Sequence, residues 1–84
     1  MTIEELDGYI NKKMRREGSY IVFTYYEVRV KMNLSNEELV VATDLIKKKL
    51  ENNNYTVLFP GDIYFKQGQK VTVKENQLLV AIRD

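Results

Sequence analysis

The chain has no cysteine and no histidine among its 84 residues, and it has a single proline and four glycines. Without cysteine it can form no disulfide, no thiolate metal site and no thiol nucleophile. Without histidine it also lacks the commonest general base and the commonest zinc ligand. The sequence contains no glycine-rich phosphate loop and no nucleophile beside a base. We therefore predict a protein that is not an enzyme and needs no metal or cofactor.

Long apolar runs and an excess of one charge are also missing. No run approaches the roughly 20 apolar residues of a membrane span, and residues 1–5 lack the basic start of a signal peptide. We therefore expect a cytoplasmic protein without a membrane segment. The net charge is only +1, so nucleic-acid binding would need a local basic surface. The length and the 44% hydrophobic content fit one domain over 1–84.

The chain does contain a repeated helix-start signal, a Ser or Thr followed three residues later by Glu. It occurs at Thr2/Glu5, Thr24/Glu27 and Ser35/Glu38. The hydroxyl accepts the amide N–H of the glutamate, and the carboxylate accepts the amide N–H of the capping residue, so each pair satisfies two backbone donors. The first and third pairs precede amphipathic stretches, which predicts helices over 3–17 and 34–54.

Both helices carry signals at their ends. The first is followed by Gly18, a C-cap residue, and residues 52–54 are asparagines, which tolerate the left-handed conformation that ends a helix. The first helix also ends in a basic cluster that suits the negative end of the helix dipole. Its members are Lys12, Lys13, Arg15 and Arg16. We expect these four side chains to lie in solvent and complement the helix dipole; the alternative is that they add contacts with the DNA backbone.

Beyond residue 54, short apolar runs alternate with turn residues, which is typical of β-structure. The runs are 55–59, 63–65, 71–73 and 78–82. Pro60 and Gly61 suit the two central positions of a type II turn, and residues 67–69 mark a second turn. We expect the chain to finish as a β-hairpin or meander of three or four short strands, which with the helices makes an α+β fold.

The segment 20–34 allows two folds. Alternating apolar and polar residues from Glu27 onward favour one strand of about 14 residues, longer than the usual five or six. The chain would then be a helix, a long strand, a crossover helix and a β-meander. Alternatively, a short strand over 20–23 ends at Thr24, which caps a helix of about ten residues. Tyr25, Val28 and Met32 would face the core of that second fold.

In the second fold, residues 28–35 resemble the turn of a helix-turn-helix. The family pattern has an apolar residue, three variable ones, an apolar residue, Gly or Asn, another apolar residue and Ser. Here Asn33 stands where positive φ is needed, Leu34 fills the turn and Ser35 caps the next helix. The chain therefore resembles the winged helix-turn-helix superfamily of DNA-binding domains. That fold has the order helix, strand, helix, helix, followed here by a C-terminal β-hairpin or meander.

The resemblance implies a small sequence-specific DNA-binding protein, with a recognition helix over 35–53 and a hairpin as its wing. The expected contacts with double-stranded DNA are Lys66, Gln67, Gln69, Lys70, Asn36, Thr43, Lys47 and Lys48. Glu37, Glu38 and Asp44 oppose phosphates, so we expect the wing to make most of the contact. We also expect a homodimer, because paired half-sites are usual. Such a protein would regulate transcription or act as an accessory protein of a DNA-processing complex. Its compact chain resembles proteins encoded by mobile elements.

The alternative function is a non-enzymatic protein-binding adaptor or inhibitor with an α+β fold. It follows from the long-strand fold, in which a sheet edge or a tyrosine-rich face would recognise a protein partner. The near-neutral charge fits this function as well as it fits DNA binding. The backbone of residues 25–33 separates the two hypotheses. A helix there favours DNA binding, whereas a continuous strand excludes the helix-turn-helix.

Overall fold

The computed structural model describes residues 3–84, which form an α+β fold of helices and antiparallel strands. The elements in order are α1 (Ile3–Glu17), β1 (Tyr20–Thr24), a π-helical segment (Tyr26–Lys31), α2 (Asn36–Asn52), β2 (Thr56–Leu58), β3 (Ile63–Lys66), β4 (Gln69–Thr72) and β5 (Gln77–Ile82). Thr2, the predicted cap of the first helix, lies outside the described residues. No helix within residues 3–84 is long and apolar enough to cross a membrane.

The two α-helices end as their sequences predict. The amide of Gly18 donates to the carbonyl of Met14 at 3.1 Å, and Gly18 has a φ of 71°. Asn54, which follows α2, has a φ of 68°. Both residues adopt the left-handed conformation that closes a helix, which glycine and asparagine tolerate better than other residues.

In residues 3–84, β5 is the middle strand of a three-stranded antiparallel sheet with the order β1-β5-β2. Strands β3 and β4 form a separate hairpin (63–72) inserted between β2 and β5. The expectation of a simple meander is therefore wrong, because β2 pairs with β5 and not with β3. Two local features explain the difference. A turn closed by the hydrogen bond from Asp62 N to Phe59 O directs the chain out of the sheet after β2. Strand β5 is apolar and largely buried, so it occupies the middle of the sheet.

The sheet has a different partner on each face. On one face, Phe23 and Leu79 belong to the main core together with Ile10 of α1 and Ile46 of α2. Val80, on the opposite face, belongs to a smaller cluster. Partly buried residues pack against this cluster, namely Tyr64 and Val71 of the hairpin and Val73 directly after it. The sheet thus separates the helices from the hairpin.

The backbone turns helical after Thr24, so the long-strand alternative is wrong. Thr24 and Glu27 form the predicted pair, with Glu27 N donating to Thr24 Oγ1 at 3.1 Å and Thr24 N donating to Glu27 Oε2 at 3.2 Å. Val28 and Met32 are buried as predicted. However, the segment spans six residues instead of about ten, and Tyr25, expected in the core, is 46% exposed. The π-helix is wider than an α-helix, so Tyr25 no longer lies on the face of Val28.

Candidate nucleic-acid interface

The turn between the π-helical segment and α2 is held by a set of short-range hydrogen bonds. Asn33 has a φ of 54°, as predicted, and its amide donates to Val30 O at 3.0 Å. Ser35 Oγ accepts Glu38 N at 3.2 Å, while Ser35 N donates to Glu38 Oε1 at 2.9 Å, so the predicted capping box is present. These bonds fix the direction in which α2 leaves the turn.

Arg29 reinforces the same turn, a role that the sequence analysis missed. Its guanidinium donates from NH1 to the carbonyl of Leu34 at 3.0 Å. The amide of Leu34 in turn donates to the carbonyl of Arg29 at 3.0 Å, which is the i to i+5 bond of a π-helix. The side chain of Arg29 therefore spans the turn that joins the two helices.

Lys13 lies inside the protein and not in solvent, so its predicted exposure with the basic cluster is wrong. It follows Leu6 and Ile10 along the inward stripe of α1, and only 3% of it is exposed. Its ammonium lies 2.5 Å from Glu27 Oε1 and 4.4 Å from the centre of the Phe23 ring. A buried lysine needs such partners because an unpaired charge is costly to desolvate.

The edge of β1 is covered by the same group of side chains. Lys13 donates to the carbonyl of Val22, and Val22 N donates to Glu17 Oε1 at 3.3 Å. Edge strands are commonly protected from pairing with another chain by charged side chains. The β1 edge at Val22 therefore offers no free backbone pair for an added strand.

Burial and hydrogen bonding shift the pKa of Glu27 and that of Tyr9. Burial alone would raise the pKa of Glu27, but the hydrogen bonds from Lys13 and Tyr9 and from the amide of Thr24 lower it below its ordinary value. Burial and the hydrogen bond to Glu27 raise the pKa of Tyr9, whose hydroxyl donates to Glu27 Oε1 at 2.7 Å. Glu27 is therefore a carboxylate that the fold keeps ionised.

The four predicted wing residues lie at the tip of the hairpin. Gln67 and Gly68 both have positive φ, 52° and 80°, which is the conformation of a type I′ turn. Gln67, Gln69 and Lys70 are exposed there. Lys66 differs, because its Nζ donates to the carbonyl of Arg83 at 3.1 Å. The structure thus leaves three of the four side chains exposed and ties Lys66 back to the end of the chain.

The four predicted helix residues do not share one surface. Asn36, Thr43 and Lys47 recur at helical spacing with Val40 and form one flank of α2, which we call the α2 flank. An open groove of about 420 Å³ runs along it, lined by Leu39, Val40, Thr43, Asp44, Lys47, Phe59 and Leu78. Lys48 is not part of this groove, and its Nζ lies 2.9 Å from Asp44 Oδ2. The structure brings Thr43 and Lys47 together and separates Lys48 from them.

The solvent side of α2 carries acidic and apolar residues. Glu37 and Glu38 are both exposed, and the amide of Ser35 lowers the pKa of Glu38 by donating a hydrogen bond to it. Val40 is 70% exposed and Val41 is exposed beside it. The sequence analysis missed these valines, although they fall outside the buried stripe of the helix and could have been found from that position.

Comparisons of the chain with protein-family models, with curated proteins and with solved structures find no match. Within residues 3–84, no group of three or more Asp or Glu side chains is placed to hold a metal ion. A function therefore has to be inferred from the surfaces described above.

Proposed function

We propose that the chain is a small DNA-binding protein of the winged helix-turn-helix type, acting as a regulator or an accessory factor of a DNA-processing complex. One observation carries this proposal, the pair of helical segments joined at Asn33, whose φ of 54° makes the sharp turn before Ser35 caps α2. The hairpin that follows β2, which is separate from the three-stranded sheet, supports its assignment as the wing. In such domains the second helix of the motif enters the major groove of DNA.

The charges favour the hairpin as the main contact with DNA. Gln67, Gln69 and Lys70 present two amide groups and one ammonium, and the hairpin tip carries no carboxylate. On α2, Lys47 supplies a cation beside the groove, but Glu37 and Asp44 repel phosphates. We expect the hairpin to provide most of the phosphate contacts and amide hydrogen bonds with DNA. The α2 flank should provide fewer such contacts.

The direct test is fluorescence anisotropy of the protein on random duplex DNA at low and at moderate salt. We expect salt-dependent binding by the unchanged protein. Changing Lys47 and Lys70 together to Ala should weaken binding and reduce the salt slope by about two, close to one for each lost phosphate contact. Changing Lys12 and Arg15 to Ala removes the same charge from the exposed face of α1 and is the matched control. Absence of binding at low salt would contradict the proposal.

A second candidate function is that of a non-enzymatic protein-binding adaptor or inhibitor. The exposed apolar side chains favour it, since Val40 on α2 is 70% exposed and Phe65 on the hairpin is 66% exposed. Exposed apolar surface of this kind commonly marks protein contacts. A protein that fails to bind duplex DNA at low salt would support this candidate over the first.

A further inference from the structure

The outward face of the hairpin carries two large apolar side chains and one lysine. Alternation along β3 directs Tyr64 to the sheet and leaves Ile63 and Phe65 exposed. Lys70 lies directly opposite Phe65 in the β3–β4 ladder. Lys66 lies on the other side of the hairpin, where its Nζ donates to the carbonyl of Arg83, so Lys70 supplies the charge of the outward face. This surface, which we call the hairpin face, therefore combines two large apolar groups with positive charge.

The first half of α2 carries the complementary pattern. Val40 and Val41 are exposed on it, and every charged side chain from residue 36 to residue 44 is acidic. Glu37 and Asp44 flank the two valines at helical spacing on the solvent side, and Asp44 is also paired with Lys48, so Glu37 and Glu38 supply the unbalanced negative charge. We call this surface the α2 face. It matches the hairpin face in carrying two apolar side chains and opposes it in charge.

We propose that the protein associates with a second copy of itself, the hairpin face of one copy docking on the α2 face of the other. A second copy is the occupant because each chain carries both complementary halves and leaves both uncovered. Interfaces are built in this way, with an apolar centre that supplies most of the affinity and a charged rim that fixes orientation. Phe65 would pack on Val40 and Val41, with Lys70 beside the acidic side chains of α2.

This association goes beyond the proposed DNA binding and does not depend on it. It would nevertheless compete with DNA, because Val40 lies on the α2 flank and Lys70 belongs to the hairpin tip. Two surfaces proposed to contact DNA would be partly covered in the associated form. Added duplex DNA should then release the single chain.

The experiment is light scattering coupled to size exclusion, without DNA, over a range of protein concentrations. The mass of the unchanged protein should rise above the chain mass of 9.9 kDa as its concentration rises, and it can exceed twice that value because an associated pair still offers one free hairpin face and one free α2 face. The variants Phe65→Ser and Val40→Ser, each on its own, should remain at the single-chain mass. Val30→Ser removes an exposed apolar side chain from outside both faces and is the matched control, which should associate like the unchanged protein. Circular dichroism confirms that each variant is folded.

Mixing the two variants gives the decisive result. Phe65→Ser retains an intact α2 face and Val40→Ser retains an intact hairpin face, so the mixture should recover association that neither variant shows alone. An unchanged protein that stays a single chain at every concentration would overturn the proposal. Association by Val40→Ser alone would also overturn it, because hairpin-to-hairpin contact would then be the cause. Since no DNA is present, neither result bears on the anisotropy test of the proposed function.

Discussion

The ammonium of Lys13 in α1 lies 2.5 Å from the carboxylate of Glu27 in the π-helical segment. The same carboxylate accepts the hydroxyl of Tyr9 at 2.7 Å and the hydroxyl of Thr24 at 2.9 Å. Glu27 therefore joins α1, the end of β1 and the π-helical segment. Lys13 is only 3% exposed, so breaking its ion pair with Glu27 would leave a buried charge. The pair is therefore important for the stability of the fold.

Removing the charge of Glu27 should destabilise the protein strongly. In Glu27→Gln, Lys13 keeps its charge in a buried position, loses its closer carboxylate partner and retains only Glu17, whose Oε2 lies 3.4 Å from its Nζ. We expect a loss of about 3 kcal/mol in the free energy of unfolding. Urea denaturation followed by circular dichroism measures this loss. Glu37→Gln removes an exposed carboxylate from α2 and should change stability by less than about 0.5 kcal/mol. Equal effects of the two substitutions would contradict a structural role for the pair.

The pH dependence of stability should report the same carboxylate. The hydrogen bonds to Glu27 hold its pKa in the folded protein below its ordinary value of 4.5, which applies to the unfolded chain. The stabilisation from its charge is therefore complete above pH 4.5 and is lost as the pH falls through the lower folded pKa. Thermal unfolding measured from pH 7 downward should show the gap between the unchanged protein and Glu27→Gln narrowing below pH 4.5. If the difference in stability between the two proteins did not change with pH, the pKa of Glu27 would be the same in the folded and the unfolded protein.

Local features of this fold could be predicted from sequence, because they depend on residues a few positions apart. The capping pairs at Thr24 and Ser35 and the positive φ of Asn33 are present as expected. The partner of Lys13 could not be predicted in this way, since Glu27 is brought to it only when α1 packs beside β1. The pairing of β2 with β5 likewise depends on contacts distant in sequence, which no local pattern encodes.

The roles of side chains in the candidate site could not be predicted from sequence either. Lys66 and Lys70 look equivalent in the sequence because they stand on either side of a turn. The strand register gives them different directions, so Lys66 reaches the carbonyl of Arg83 while Lys70 points outward beside Phe65. We therefore predict that Lys70→Ala lowers the salt slope of DNA binding by about one, whereas Lys66→Ala leaves it unchanged. Anisotropy titrations at several salt concentrations measure both slopes. A larger change for Lys66→Ala would mean that its bond to Arg83 opens on DNA.

The turn before α2 should discriminate between side chains at position 33. Asn33 has a φ of 54°, a conformation that glycine adopts without strain and that β-branched residues tolerate poorly. Asn33→Val should therefore reduce the free energy of unfolding by about 1–2 kcal/mol, while Asn33→Gly should stay close to the unchanged protein. Urea denaturation of the three proteins makes the comparison.

The ranking of the three proteins matters for function because the π-helical segment and α2 meet at this residue, so strain there alters the direction of α2. If valine were tolerated as well as glycine, the turn would not hold the two helices in a fixed arrangement, and the main support for the winged helix-turn-helix would be lost.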